Sequence, residues 1–457
     1  MDKVLNKEIL RLSLPSILAN LTVPLVGIVD TAVAGHLSGG NAALFIGAIS
    51  IGAMLFNLLY WNFGFLRTGT GGLTAQAFGR QDPNRCAAIC IRGLGIALAM
   101  AALTLVLRNP FLKLALFCVD GTDEVEALAA EYFSIRIWAA PATLSLMTFS
   151  GWFVGMQDSM SSMWKDLIIN GINIIASVVL SFGAFGWEGL GFRGIALGTL
   201  IAQYSGMAFC IAVCIIKYWK STFSTFRMEQ LGALFAPVNL RGFFKMNLDL
   251  FGRSLCFTLI YIGYTMLAAG LGDLLLACSS IMMQLLMIFS YFTDGFAYAG
   301  EALTGRFIGA QDQTMKTRTI KYVFVWSMAI AFLFVFIYAA AGTPLLKMLT
   351  DSEEVIEACR EFLPWLILMP PLGCAAFTWD GIYLGATESR EMFHAMAGSV
   401  LAFFAVWYVG KAVMQENGSP QMHLLLGAYF AHLVIRTIWL SAFSKKKLFL
   451  HNKPYVL

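Results

Sequence analysis

The feature that most restricts this chain is a succession of about twelve apolar blocks, each long enough to cross a bilayer and parted by short polar runs. A helix rises about 1.5 Å per residue, so roughly 20 apolar residues span the hydrocarbon. The blocks predict helices near 9–37, 43–66, 86–107, 127–156, 164–186, 190–216, 247–271, 274–304, 319–342, 356–387, 392–413 and 421–443. Of the 457 residues, 58% are hydrophobic and 13% charged, against about 25% charged in soluble domains. No stretch is left over for a sizeable soluble domain. The expected fold class is an all-α integral membrane protein.

Charge distribution orients it. If the first residues are cytoplasmic and twelve helices alternate, 20 basic residues fall on the cytoplasmic side and five (Arg108, Lys113, Arg193, Lys347, Lys411) on the other. The positive-inside rule then predicts both termini in the cytoplasm. Lys445, Lys446 and Lys447 follow a spanning helix and read as a topological anchor, not a nucleic-acid site. The first apolar stretch is too long for a cleavable signal and holds two prolines, which suits a bacterial inner membrane. Cys86/Cys90 and Cys210/Cys214 stand four apart with no histidine cluster between them, so no metal or cofactor is expected.

An internal repeat divides the chain. LTAQAFGRQD (73–82) matches LTGRFIGAQD (303–312) at five of ten positions, at an offset of 230. The same offset aligns PATLSLMTFSGWFVGMQDS (141–159) with PLGCAAFTWDGIYLGATES (371–389), where Pro141/Pro371, Gly151/Gly381 and Gly155/Gly385 coincide. Two matches at one offset predict two six-helix lobes. Their expected limits are 1–216 and 247–445, with a cytoplasmic linker 217–246 and tail 446–457. An even number of helices per half makes the repeat parallel, about an axis along the membrane normal. Two facing lobes can open a cleft to either side in turn, which points to a transporter that is monomeric and is not an enzyme. A channel would need a ring of filter groups, and none is legible.

VPLVGIVDTAVAGHL, GLTAQAFG, LDLFGRSL and DGFAYAGEA resemble the multidrug and toxic compound extrusion (MATE) transporters, and within them the DinF-like branch. The resemblance runs over nearly the whole chain. It implies export of bulky, often cationic xenobiotics driven by inward flow of H⁺ or Na⁺.

Asp30 is the leading candidate site by residue physics. It lies far from both ends of the first helix, where a carboxylate costs several kcal/mol unless paired, hydrated or protonated. Burial disfavours its charged form, so it is suited to exchanging a proton. The resemblance implies the same, since the family's usual cation site is an aspartate at this motif position. Pro15 and Pro24, in the same helix, lack an N–H and are expected to kink it. Partners for Asp30 are expected from Asn170 and Asn173 of the fifth helix and Thr199 and Gln203 of the sixth. The resemblance singles out Asn173 and Thr199. It also marks a departure: where relatives often carry a second acid four residues after the asparagine, this chain has Ser177. One acid in place of two favours H⁺ over Na⁺.

The second half carries Asp249, Arg253, Asp294, Glu301 and Asp380 in its spans. Asp249 and Arg253 stand at i, i+4 and read first as a pair on one helix face. Asp294, Asp380 and Arg253 are the candidate charges of a cleft. Arg67 and Arg136 in the first half are available to neutralise acids, and SSIMMQLLMIF (279–289) offers flexible methionines for varied apolar shapes. A flippase for lipid-linked substrates is the rival reading, and it would want several deep basic residues. RTGTGG (67–72) lacks the GK[ST] of a phosphate loop, so no ATPase is suggested.

Overall fold

The computed structural model describes residues 3–37, 42–117, 122–184, 186–224, 226, 237–413 and 418–449. Among them there is no strand, and twelve helices are long and apolar enough to cross a membrane. They are α1 (Lys3–His36), α2 (Ala42–Gly79), α3 (Pro83–Val106), α4 (Asp123–Gly155), α5 (Ser159–Phe182) and α6 (Phe192–Phe223) in the first half. The second half has α7 (Phe244–Ala269), α8 (Asp273–Gly309), α9 (Gln313–Leu349), α10 (Glu353–Gly385), α11 (Ser389–Val413) and α12 (Pro420–Phe449). The chain is an all-α multi-pass membrane protein. Residues 225 and 227–236 of the expected linker, and the tail from residue 450 onward, lie outside the described residues.

The largest departure from the sequence reading is in α2. RTGTGG, which lies beyond the expected span 43–66, is helical, and Gly69, Thr70, Gly71 and Gly72 are buried. The glycines there serve helix packing: a Cβ on Gly151 of α4 would strike the carbonyl of Arg67. The repeat partner Gly381 of α10 meets the carbonyl of Ala297 of α8 in the same way. Both pairs obey the offset of 230, so the repeat conserves a close crossing of backbones. A short helix, Arg108–Phe117, was not foreseen, being too short for the spanning criterion.

The repeat is equally plain in four turns. Gln81, Gln157, Gln311 and Thr387 adopt left-handed conformations, with φ of 58°, 63°, 59° and 58°. The residues after them, Asp82, Asp158, Asp312 and Glu388, donate their N–H groups back to the carbonyls of Ala77, Phe153, Phe307 and Tyr383. This closes the preceding helix with a Schellman-type turn. Asp82, Asp158 and Asp312 then cap the next helix by accepting from the N–H groups of Arg85 (3.0 Å), Ser161 (3.2 Å) and Met315 (2.9 Å). The repeated QD dipeptide is therefore a helix stop followed by a helix start.

Two compact units result, Leu18–Leu240 and Met1–Ile17 with Arg241–Leu457. In the first, Trp152 is fully buried, donates to the Cys86 carbonyl (2.9 Å) and meets the Tyr218 ring edge-on at 4.9 Å. In the second, Tyr264, Phe289, Phe334, Tyr338 and Tyr429 belong to one core. The opening turns of α1 pack there: Asn6 accepts from Trp326 Nε1 (2.9 Å), and Glu8 pairs with Arg306 (3.4 Å).

Candidate functional site

Helix α1 runs without a break through Pro15 and Pro24 to His36. Each proline removes one donor from the helix, so the carbonyls of Arg11 and Asn20 lose the backbone N–H that would otherwise reach them. Ser13 and Ser16 donate to the carbonyls of Ile9 (2.8 Å) and Leu12 (3.0 Å), and Thr22 donates to that of Ala19 (2.7 Å). Pro15 is buried, whereas Pro24 is exposed beside Val23 and Leu25. The helix turns inward again at Asp30, which is 7% exposed.

Three helices supply the surroundings of Asp30. Segment Asp123–Arg136 of α4 opens on Asp123, Glu124 and Glu126 and closes on Arg136. This order suits the helix dipole at both ends. A 3₁₀ turn at Ile137–Ala139 then breaks the helix ahead of Pro141. Arg136 Nη1 donates to Tyr132 Oη (2.8 Å), and its guanidinium lies 4.5 Å from the Phe56 ring centre. The guanidinium so held acts electrostatically on Asp30. From α5, Ser177 lies against Asp30, and Asn173 is one turn away on the same face. Asn173 Nδ2 donates to Thr199 Oγ1 of α6 (2.9 Å). Three buried oxygens of this group make no hydrogen bond of good geometry: Asp30 Oδ1, Asn173 Oδ1 and Ser177 Oγ.

Of the expected partners, Asn173 and Thr199 are joined to each other, and Asn173 stands one turn before Ser177 on α5. Asn170 is placed elsewhere: its amide donates to Thr22 Oγ1 (2.6 Å), tying α5 to α1 below the acid. Gln203 is half-buried on α6, one turn beyond Thr199. The sequence named Arg136 only as an available cation; its Tyr132 and Phe56 supports were not legible.

The charges of the second half are arranged differently. Asp380, 9% exposed, receives both Arg253 of α7 and Arg436 of α12. Arg436 approaches side-on, with Nε donating to Asp380 Oδ1 (3.2 Å) and a terminal nitrogen to Oδ2, and it stacks over Phe377 at 5.6 Å. The expected Asp249–Arg253 pair is not formed. Arg253 turns to the buried Asp380, where its charge is needed more, and Asp249 accepts from Ser389 Oγ (3.0 Å). Asp294 accepts a long hydrogen bond from Ser290 (3.5 Å), and Glu301 is fully buried. Arg436 was missed, although an arginine inside LVIRTIWL is a signal that intramembrane charge seeks a partner.

No group of three or more metal-binding side chains occurs among the described residues. A family model described as MatE matches residues 15–179 and 250–409, one stretch in each half. The DNA damage-inducible protein F of Escherichia coli (strain K12) is 32% identical over 400 residues, covering 87% of this chain and 84% of that protein. A probable multidrug resistance protein NorM of Photorhabdus laumondii subsp. laumondii is 24% identical, covering 88% of this chain and 86% of its own length. A solved outward-facing multidrug resistance MATE family transporter of the MOP superfamily superposes with a TM-score of 0.82. It is 16% identical and covers 96% of this chain and 95% of its own.

Proposed function

Because this chain belongs to the MatE family, we propose that it exports bulky, often cationic compounds in exchange for protons by alternating access. It is a multi-pass membrane transporter of the multidrug and toxic compound efflux type, handling small molecules. Protons, Asp30 as their site, action as a monomer, a bacterial inner membrane and cytoplasmic termini belong to this proposal. The observation that carries it is Asp30 itself: a buried carboxylate whose Oδ1 makes no good hydrogen bond, on a helix weakened by two prolines. A buried acid with unused acceptor capacity is stable in its protonated form and can release the proton when water reaches it. Loss of the proton changes the charge on α1, and a helix lacking two backbone hydrogen bonds yields to that change more readily than an intact one.

Proteoliposomes loaded with ethidium test this under an imposed pH gradient and, separately, a sodium gradient. Wild type should export under the pH gradient alone, and Asp30→Asn should reduce export at least about a hundredfold while eluting as a folded protein. Export driven by sodium alone, or proton-driven export surviving in Asp30→Asn, would overturn the assignment. One observation favours the flippase reading: a buried arginine, Arg436, and a half-buried one, Arg253, share Asp380, as a lobe built for an anionic headgroup would require. Translocation of a fluorescent anionic lipid by the same vesicles, lost in Arg253→Gln, would support that reading.

A further inference from the structure

A cavity of about 310 Å³ lies in the first compact unit, where two helices break side by side. Helix α2 leaves its helical path at 62–64, and α3 ends before Leu107, after which the short helix Arg108–Phe117 begins. Phe63 and Leu107, one from each break, line the space, with Leu103 and Phe133 among its other walls. Leu103 and Leu107 are each 48% exposed, so the cavity reaches the protein surface. Thr104 and Arg108 bring its only polar side chains, and the Thr104 hydroxyl is already donated to the Met100 carbonyl (2.8 Å). The walls therefore suit hydrocarbon, in a volume at the small end of the range for ligand pockets, about 300–1,000 Å³.

Arg108 is the half-buried cation at the edge. Its guanidinium lies 4.9 Å from the centre of the Trp138 ring, and it makes no ion pair or side-chain hydrogen bond with the described residues. The ring contact leaves its five N–H donors unused. Its helix, RNPFLKLALF, carries Arg108 and Lys113 and no acid. Arg108 stands 25 residues beyond Pro83, about 37 Å of helix, against a hydrocarbon layer of about 30 Å. That height is the headgroup level on the side opposite the Gln81 turn. Trp138, 50% exposed, is the residue type that collects there.

We infer that this cavity takes an acyl chain of an anionic phospholipid whose phosphate is held by Arg108. A bilayer chain covers the apolar walls without stripping water from a polar group. Two phosphate oxygens can accept two guanidinium N–H groups at once. A bulky cation of the kind proposed for export is disfavoured, because the one charge lining the space is positive. A free phosphate would leave the apolar walls uncovered, and a zwitterionic lipid would bring a second cation towards Arg108. The inference goes beyond the export reading and holds whichever ion drives export.

Native mass spectrometry of the detergent-purified, delipidated protein, titrated with phosphatidylglycerol or phosphatidylcholine of identical chains, tests it. Wild type should retain a phosphatidylglycerol about tenfold more tightly than a phosphatidylcholine, the contrast expected of charge-assisted hydrogen bonds. Arg108→Gln should lose that preference while still retaining phosphatidylcholine as wild type does, and Arg108→Lys should keep most of it. Lys113→Gln changes an exposed charge of the same helix and should keep the preference. Leu103→Trp fills the cavity and should lose retention of both lipids. Glycerol 3-phosphate, a headgroup without chains, should displace neither. Equal retention of the two lipids by wild type would overturn the proposal, as would an Arg108→Gln protein that still prefers phosphatidylglycerol. An equal loss in Lys113→Gln would assign the preference to diffuse surface charge, and displacement by glycerol 3-phosphate would assign it to a free anion; either result overturns the site. Wild-type retention by Leu103→Trp would place the lipid elsewhere. If Arg108→Gln does not fold, the two lipids compared in wild type and Leu103→Trp decide.

Discussion

Asp30 and Asp380 are both buried intramembrane acids, yet their surroundings differ in kind. Asp30 makes no ion pair with an arginine among the described residues, and its Oδ1 lacks a good hydrogen bond. Asp380 receives two arginines, and both its oxygens are engaged. A carboxylate held by two guanidiniums has its charge compensated in place, so protonating it would leave a buried and a half-buried cation uncompensated. A carboxylate with spare acceptor capacity can change its charge state at lower cost. Burial alone does not mark an exchange site; unclaimed capacity does.

The largest expected effect follows from that contrast. Asp380→Asn leaves Arg253 and Arg436 without their anion, and breaking a buried ion pair costs about 3–5 kcal/mol. Thermal unfolding of the detergent-purified protein should show this as a marked fall in melting temperature or a failure to accumulate. Asp30→Asn removes a buried charge and should stay within about 1 kcal/mol of wild type or gain stability, because an amide is easier to bury. Equal losses in the two variants would erase the distinction. Similar stability with loss of efflux in Asp380→Asn would move the exchange role to the second half.

This division was only partly legible in the sequence. Spanning segments announce themselves by length, and the repeat by two matching motifs, because both are local patterns. Asp30 stood out because a charge in an apolar run is costly wherever the helix packs. The destination of Arg253 was not legible: i, i+4 spacing with Asp249 is a local rule, and burial of Asp380 on α10 overrode it. The partner of Asn170 was not legible either: its amide bonds Thr22, eight residues before Asp30 on α1. RTGTGG misled because glycine signals a break in water and a close crossing inside a helix bundle. The offset of 230 that aligns the motifs also sets Asp380 against Ser150 and Asp30 against Ile260. The repeat keeps turns, crossings and an ion pair at a helix end, but not the intramembrane acids.

A smaller effect concerns the helix ends. Lys217 pairs with Asp158 at 2.7 Å, and its repeat counterpart Lys447 lies 3.3 Å from both Glu388 and Glu391. Burial pushes Asp158 up, but hydrogen bonds from Lys217, Ser161 and Tyr218 outweigh it and hold the carboxyl below its ordinary value. A carboxyl so depressed stabilises the fold above its unfolded value, about pH 4, and that contribution is lost as pH falls through the lower folded value. Melting temperature should therefore drop on acidification below about pH 4, and Asp158→Asn should flatten the drop. Near neutral pH the variant should lose about 1–2 kcal/mol, since asparagine still caps α5 but forfeits the charge-assisted bonds. An acid limb unchanged by Asp158→Asn would mean that other carboxyls set it.

The smallest effect tests what the two halves share. Gln81 and Gln311 are exposed, occupy equivalent turns and hold φ of 58° and 59°. A left-handed residue with a side chain costs about 1 kcal/mol or more, which glycine avoids. Glycine also loses more chain entropy on folding, so the net gain from Gln311→Gly should be about 0.5 kcal/mol, read as a small rise in melting temperature. Gln81→Gly should give a gain of the same size, because backbone conformation and the following aspartate cap are the same in both turns. A gain confined to one turn would show that its surroundings, not its backbone, select glutamine. Equal gains would establish that the halves remain interchangeable at their turns even where their charges have parted.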